Sequence, residues 1–200
     1  MSNLTTGSIT TPRQDNGPYV GIDTAYGKVV AAIHTKRAPI TAGNFLRYLD
    51  AGCYQNATFY RSARPGNDKR SPKIRIIQGG IDPTCRTARF PPITHESTAA
   101  TGLSHVDGTL SAVRWEPGSA TSEFFIVLGD TPALDFGGAR HPDKQGYAVF
   151  GRVSHGLDIV RRISALATGS HGTIQFMQNQ TIVPPARMRI ARLEHDVVGM

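Results

Sequence analysis

The side chains that most often carry chemistry are thinly spread along this chain. Cys53 and Cys85 stand 32 residues apart, with no second cysteine or histidine at ligand spacing, which argues against a zinc site and against any metal. Seven histidines occur singly. No G-x-x-x-x-G-K-[ST] loop and no G-x-G-x-x-G opening a helix is present, so nucleotide use is unsupported and no cofactor is expected. A Ser/His/Asp hydrolase stays open, because triads assemble in space, but the G-x-S-x-G elbow is missing. From Arg61 to Arg75 six residues are basic and only Asp68 is acidic. That stretch reads as a solvated surface loop in preference to a nucleic-acid patch, since no aromatic platform is interleaved there. A nucleic-acid role would show itself as steep salt dependence.

The elements that must position a site are short. Tyr19–Thr24 and Lys28–Thr35 read as a hairpin turned at Ala25-Tyr26-Gly27. Val29 and Val30 point to opposite faces, so the second strand is expected to be covered on both sides. Residues 41–51 change period: Phe45 and Leu49 are i, i+4, with Pro39 before, Thr41 as N-cap and Gly52 after, which predicts one amphipathic helix. Further strands are expected at Thr58–Arg61, Ile74–Gln78 (ended by Gly79-Gly80), Thr109–Val113, Phe124–Leu128 and Tyr147–Val153. A second helix follows at Leu157–Leu166, where Leu157, Val160 and Ile163 repeat at i, i+3. The last strand is expected near Arg187–Leu193, with a bulge or the strand's end at Ala191-Arg192. Many short strands with regular turns and two helices favour a closed barrel over a sandwich, although periodicity alone does not choose between them.

Composition bounds the rest. Of 200 residues 39% are apolar and 18% charged, with 21 Gly, 13 Pro and a net charge of +7, the profile of a turn-rich, moderately basic globular domain. The longest apolar runs, Val29–Ile33 and Phe124–Leu128, hold five residues each, where a spanning helix needs about 20, so no membrane association is expected. Residues 1–18 are rich in Ser, Thr, Asn, Pro and Gly and read as a flexible leader without the apolar core of a signal peptide. A cytoplasmic location is therefore expected, or a periplasmic one if an export signal has been removed.

The strings that remain are distinctive in combination. Phe59-Tyr60-Arg61 is followed by Ile77-Gln78-Gly79-Gly80, then Gly108-Thr109-Leu110-Ser111, Ser122-Glu123-Phe124-Phe125-Ile126, Leu134-Asp135, and Gly146-Tyr147-Ala148-Val149-Phe150-Gly151-Arg152-Val153. Their order resembles the cyclophilin family of peptidyl-prolyl cis-trans isomerases, whose corresponding pieces run roughly FHR, QGGD, GxLSMA, SQFFI, LD and VFGxV. The match extends from about Tyr19 to Leu193, within a domain placed at residues 19–195. The long loop at Phe136–Gln145 and the insert at Arg64–Pro72 are similar to bacterial members. The resemblance implies a mainly β fold: a closed eight-stranded antiparallel barrel capped by two α-helices. It also implies the activity, rotation about X-Pro bonds in polypeptides, assisting folding. The alternative is a cyclophilin-fold module that binds proline-containing peptides with little turnover.

Residue by residue, the resemblance makes Arg61 the catalytic arginine and Gln78 the glutamine that bonds the substrate backbone and orients it. Phe125 becomes the floor of the proline pocket, with Leu134 and Ile76 as walls. Val113 stands where a small alanine contacts the residue before proline, with Arg114 beside it, and Tyr147 takes the place of a histidine that closes the pocket. Several positions depart from the pattern. Arg75 falls where the family has a pocket phenylalanine, so that wall is absent or supplied by Ile74. Tyr60 replaces histidine and is expected to pack in the core. Glu123 replaces glutamine near the groove, where it pairs with Arg61 or Arg114, favours cationic peptides, or is simply solvated. Ala133 aligns with the tryptophan that confers cyclosporin binding, so weak binding of that drug is expected. The partners are proline-containing polypeptides, and a monomer is expected.

Overall fold

The computed structural model describes residues 17–81, 90–170 and 177–194. Most of the expected leader, and Cys85, lie outside them. In chain order the elements are β1 (Tyr19–Thr24), β2 (Gly27–Ile33), α1 (Pro39–Asp50), β3 (Ala57–Ala63), β4 (Ile76–Gly80), α2 (Thr98–Thr101), β5 (Thr109–Ala112), β6 (Phe124–Val127), a 3-10 turn (Pro132–Leu134), β7 (Val149–His155), α3 (Leu157–Ser164), β8 (Thr168–Gly169) and β9 (Thr181–Arg192).

The strands run antiparallel in the order β1-β2-β7-β5-β6-β4-β3-β9, and pairing of β1 with β9 closes the barrel at eight strands. The short β8 is a ninth strand on the flank of β9. Three α-helices stand where two were expected, the extra one being the single turn α2. Side chains alternate across each strand, so Ile22, Val29, Phe59, Ile77, Leu110, Phe124, Ile126 and Ile190 fill the barrel interior. Phe45 of α1 packs into the same cluster, within 5.0–5.7 Å of the rings of Tyr54, Phe124 and Phe150. Burying these aliphatic and aromatic side chains together supplies most of the driving force for closure.

Three expectations are corrected by local chemistry. Thr41 does not cap α1; it is a buried residue of the first turn, and the N-cap, Ala38, makes no side-chain bond. Glu96 caps this helix from elsewhere in the chain, accepting from the Ile40 and Thr41 amides and from Thr41 Oγ1. Gly79 and Gly80 do not end β4 but belong to it. A Cβ on Gly79 would sit 2.7 Å from Thr58 O, so the close approach of the neighbouring strand requires glycine there, while one on Gly80 would sit 2.9 Å from Glu123 Cγ and crowd that side chain. The last strand begins at Thr181, not Arg187, because Pro184 and Pro185 hide its first half. Proline lacks the ladder donor, and these two sit in the irregular stretch between the Arg61–Thr181 and Phe59–Ala186 pairs. At its other end pairing to β1 is regular through Arg192, so the slip at Ala191-Arg192 is the strand's end. On β2, Val29 is buried and Val30 half-buried.

Candidate active site

On the outer face of the barrel, four residues form a lateral row across adjacent strands: Arg61 of β3 pairs with Gln78 of β4, Gln78 with Phe125 of β6, and Phe125 with Ser111 of β5. Neighbouring strands lie about 4.8 Å apart, so residues scattered over 60 positions are assembled by register alone. The next row, Ala63, Ile76 and Val127, is apolar. It joins Phe125, Ile74 and Leu134 in a second hydrophobic cluster, with Val113 and Tyr147 packed against it. Two loops cover this face. The insert before β4 brings Ile74, and the segment after β6 brings Leu134, His141 and Tyr147. Together they enclose a cleft of about 680 Å³.

Arg61 is only 7% exposed. Its Nε donates to Gln180 Oε1 at 2.8 Å and its Nη1 to Gln78 Oε1 at 2.6 Å. Nη2 has no acceptor among the described residues, and the side chain lines the cleft. Burial pushes its pKa down to about 10, which still leaves it protonated at neutral pH. The register of β3 against β4 shifts between Phe59 and Arg61, so Tyr60 is an extra residue, a β-bulge that re-aims side chains. Tyr60 and Arg61 both reach Gln78 as a result. Gln78 Nε2 donates to Tyr60 Oη at 2.5 Å and to Glu123 Oε2 at 3.1 Å, and Tyr60 Oη donates to Glu123 Oε2 at 2.7 Å. Burial first, then the Glu123 charge, pushes the Tyr60 hydroxyl well above the usual range, so it stays a donor. An ionised carboxylate only accepts; Gln78 must therefore turn its amide nitrogen to Glu123 and its oxygen to Arg61.

Behind the floor, the His105 ring stacks on Phe125 with centroids 6.0 Å apart and planes 10° from parallel. His105 Nδ1 donates to Asp135 Oδ1 over 2.6 Å, and Nε2 lies 3.0 Å from Ser111 Oγ. This has the residue types of a hydrolytic triad. Ser111 is fully buried, however, and its hydroxyl donates to Ala148 O, so no substrate carbonyl reaches it. At the opposite rim Tyr147 meets Phe125 edge to face at 5.4 Å. Arg114 lies 5.0 Å over the Tyr147 ring, donates twice to Asp143, at 2.7 and 2.9 Å, and once to Gly146 O at 2.7 Å. The hydrogen bonds from Arg114 hold the Asp143 carboxyl well below the usual carboxylate range.

The family model described as cyclophilin type peptidyl-prolyl cis-trans isomerase/CLD matches residues 19–192. The chain belongs to the cyclophilin family of peptidyl-prolyl cis-trans isomerases. Among its relatives is peptidyl-prolyl cis-trans isomerase B of Escherichia coli, 34% identical over 166 residues, covering 82% of this chain and 94% of that protein. Peptidyl-prolyl cis-trans isomerase A of Dickeya dadantii is 32% identical over 167 residues, covering 82% and 80%. A solved cyclophilin type peptidyl-prolyl cis-trans isomerase of Cryptosporidium parvum superposes with a TM-score of 0.64 at 20% identity, covering 88% of this chain and 98% of that one. That likeness shows the barrel fold. Members of the family bind proline-containing peptides, and no helix among the described residues of this cyclophilin is long and apolar enough to cross a membrane.

All nine residues singled out from the sequence line this one cleft: Arg61, Gln78, Phe125, Ile76, Val113, Arg114, Glu123, Leu134 and Tyr147. Arg75 is exposed and lines nothing here, whereas Ile74 is buried in the wall. One expectation is corrected, for Tyr60, and one of the alternatives for Glu123 falls away. Tyr60 is no core residue but a half-buried member of the polar network: it follows the inward-facing Phe59 and so faces outward, and the bulge turns Arg61 to the same face. Glu123 makes no ion pair with Arg61 or Arg114 among the described residues; it accepts from Tyr60 and Gln78 instead. Gln180 went unnoticed, since 119 residues separate it from Arg61 and no motif surrounds it. No group of three or more His, Cys, Asp or Glu side chains able to hold a metal occurs among the described residues.

Proposed function

We propose that this cyclophilin, residues 19–195, catalyses X-Pro rotation by seating the proline ring on Phe125, between Ile74, Ile76 and Leu134, and directing Arg61 at the prolyl nitrogen. The X-Pro amide resists rotation by about 20 kcal/mol because its C–N bond has partial double-bond character. Twisting localises the lone pair on nitrogen and makes that atom a better hydrogen-bond acceptor. A fixed cationic donor there stabilises the twisted bond over either planar isomer, the requirement for catalysis. No bond is cleaved, so no nucleophile is consumed. The observation that carries this reading is the row Arg61–Gln78–Phe125, with a guanidinium held on two edges and Nη2 left without an acceptor among the described residues.

Val113 and Tyr147 narrow the pocket rim, and Arg114, engaged by Asp143 and Gly146, supports Tyr147. A monomer in the cytoplasm belongs to the same proposal, as does weak affinity for cyclosporin, since Ala133 presents only a methyl group on the 3-10 turn beside Leu134. Exchange NMR on an Ala-Pro peptide tests the central claim. The parent is expected to accelerate cis-trans exchange, and Arg61→Ala to reduce kcat/KM at least about tenfold, or ~1.4 kcal/mol of transition-state stabilisation. Peptide binding by the parent without catalysed exchange would instead establish the binding-module alternative.

A further inference from the structure

We infer that Glu123 makes this isomerase selective for polypeptides that carry a lysine or arginine two residues from the proline. The inference rests on the proline-pocket reading above. Glu123 stands two residues before Phe125, and pairing of β5 to β6 continues past Ala112–Phe124, with the Val113 amide donating to Glu123 O at 3.0 Å. Side chains at i and i+2 of a strand share a face and lie about 6.8 Å apart. An extended peptide advances about 3.4 Å per residue, so with proline on Phe125 and the peptide laid along β6 the side chain two residues away falls over Glu123.

The chemistry at that spot fits a cation. Glu123 is the one acidic side chain among the described residues lining the cleft. Its Oε2 takes both internal bonds, from Tyr60 and Gln78, while Oε1 has no partner among the described residues. Two of the arginines in the cleft are engaged by other acceptors, Arg61 by Gln180 and Gln78, and Arg114 by Asp143 and Gly146. Phe90 and Trp115 line the same cleft, Trp115 being 58% exposed. The Phe90 ring already carries a guanidinium, that of Arg47, 4.0 Å from its centroid. A carboxylate oxygen in a cleft that aromatic rings also line suits an ammonium or guanidinium group on a substrate.

The test is exchange NMR on two peptide series, with Lys, Ala or Glu placed two residues before the proline in one and two residues after it in the other. In one of the series the parent is expected to show kcat/KM for the Lys peptide at least about tenfold above the Glu peptide. That ratio should fall below about twofold in Glu123→Gln and shrink in the parent at about 1 M salt. Using a ratio cancels any loss of rate from a loosened Gln78. Turnover of the Ala peptide with Lys and Glu peptides within twofold in both series overturns the inference, as does a preference that survives Glu123→Gln. Should Glu123→Gln not fold, a parent preference unaffected by salt overturns it equally. If the parent turns over none of the peptides, the isomerase reading fails separately. Titration then decides the inference, a Lys peptide binding at least about tenfold tighter than its Glu counterpart supporting it and equal affinities overturning it.

Discussion

Arg61 is held by amides, not carboxylates. A carboxylate beside the guanidinium would give a stronger bond but would cancel much of the field that, in the proposed mechanism, the cation exerts on a substrate nitrogen. Gln78 and Gln180 accept from Nη1 and Nε without adding negative charge, so the arginine is fixed yet remains a net cation, its pKa pushed down to about 10 by burial. Gln180 is in turn anchored by donating from Nε2 to Asn67 O at 3.1 Å. In the proposed mechanism it is a positioning residue, and Gln180→Leu is expected to lower kcat about three- to tenfold with KM little changed. The same variant should cost about 1–3 kcal/mol in urea unfolding, because Nε of Arg61 is left buried and unpaired. Gln180→Glu separates the two effects: stability is retained while kcat falls, since the new charge neutralises the cation. Single-turnover exchange and denaturation on the same samples check both. Arg61 itself was legible from Phe59-Tyr60-Arg61 and its downstream strings, whereas Gln180 was not, because nothing local marks a residue whose role is defined by a partner 119 positions away.

Strands report their faces by period, and where the period is kept the elements were readable. Phe124 and Ile126 turn inward while Phe125 and Val127 turn outward, as alternation along β6 requires. Where an element breaks its period, sequence misplaces residues: the bulge in β3 turns Arg61 to the same face as Tyr60, and Pro184-Pro185 conceal half of β9. Helix α1 shows the same limit. Its apolar face was readable from Phe45 and Leu49, but its cap comes from Glu96, more than 50 residues away. Glu96 satisfies two amide donors and one hydroxyl at the start of α1. Glu96→Ala is therefore expected to destabilise the protein by about 1–2 kcal/mol, the usual size of a lost N-cap. Hydrogen exchange should localise the loss to the first turn of α1, residues 39–42, while kcat/KM changes less than about twofold. Uniform loss of protection over the barrel would show that Glu96 serves some other purpose.

At the scale of the molecule, the basic insert between β3 and β4 is not simply a solvated loop. Asp68, the lone acid of that stretch, has a fully buried side chain and pairs with Arg140 at 2.8 Å. It also accepts from the Arg70 and Ile74 amides, and Arg140 donates to Pro72 O. The pair ties the insert that supplies Ile74 to the loop that supplies Leu134 and Tyr147, so two walls of the cleft are fastened to each other. Sequence could show a basic run with one acid in it, but not that the acid is an internal ligand for an arginine 72 residues on. Burial alone would raise the Asp68 pKa; the bonds from Arg140 and the two amides outweigh it and leave the carboxyl below its ordinary value. A carboxyl with a depressed folded-state pKa stabilises the fold above the unfolded value, about 3.9, and loses that contribution as pH falls through the lower folded value. Asp68→Asn strands Arg140 without its counter-charge and is expected to cost about 3–5 kcal/mol at pH 7. Urea unfolding of parent and variant from pH 7 to about pH 2.5 should show the gap between them steady down to about pH 4 and narrowing below it. Peptide affinity measured at pH 7, below the variant's unfolding midpoint, should fall together with stability, because the pocket walls loosen when the tie is cut. A variant that keeps parental affinity despite the lost stability would mean that the barrel strands alone hold Ile74 and Leu134 in place.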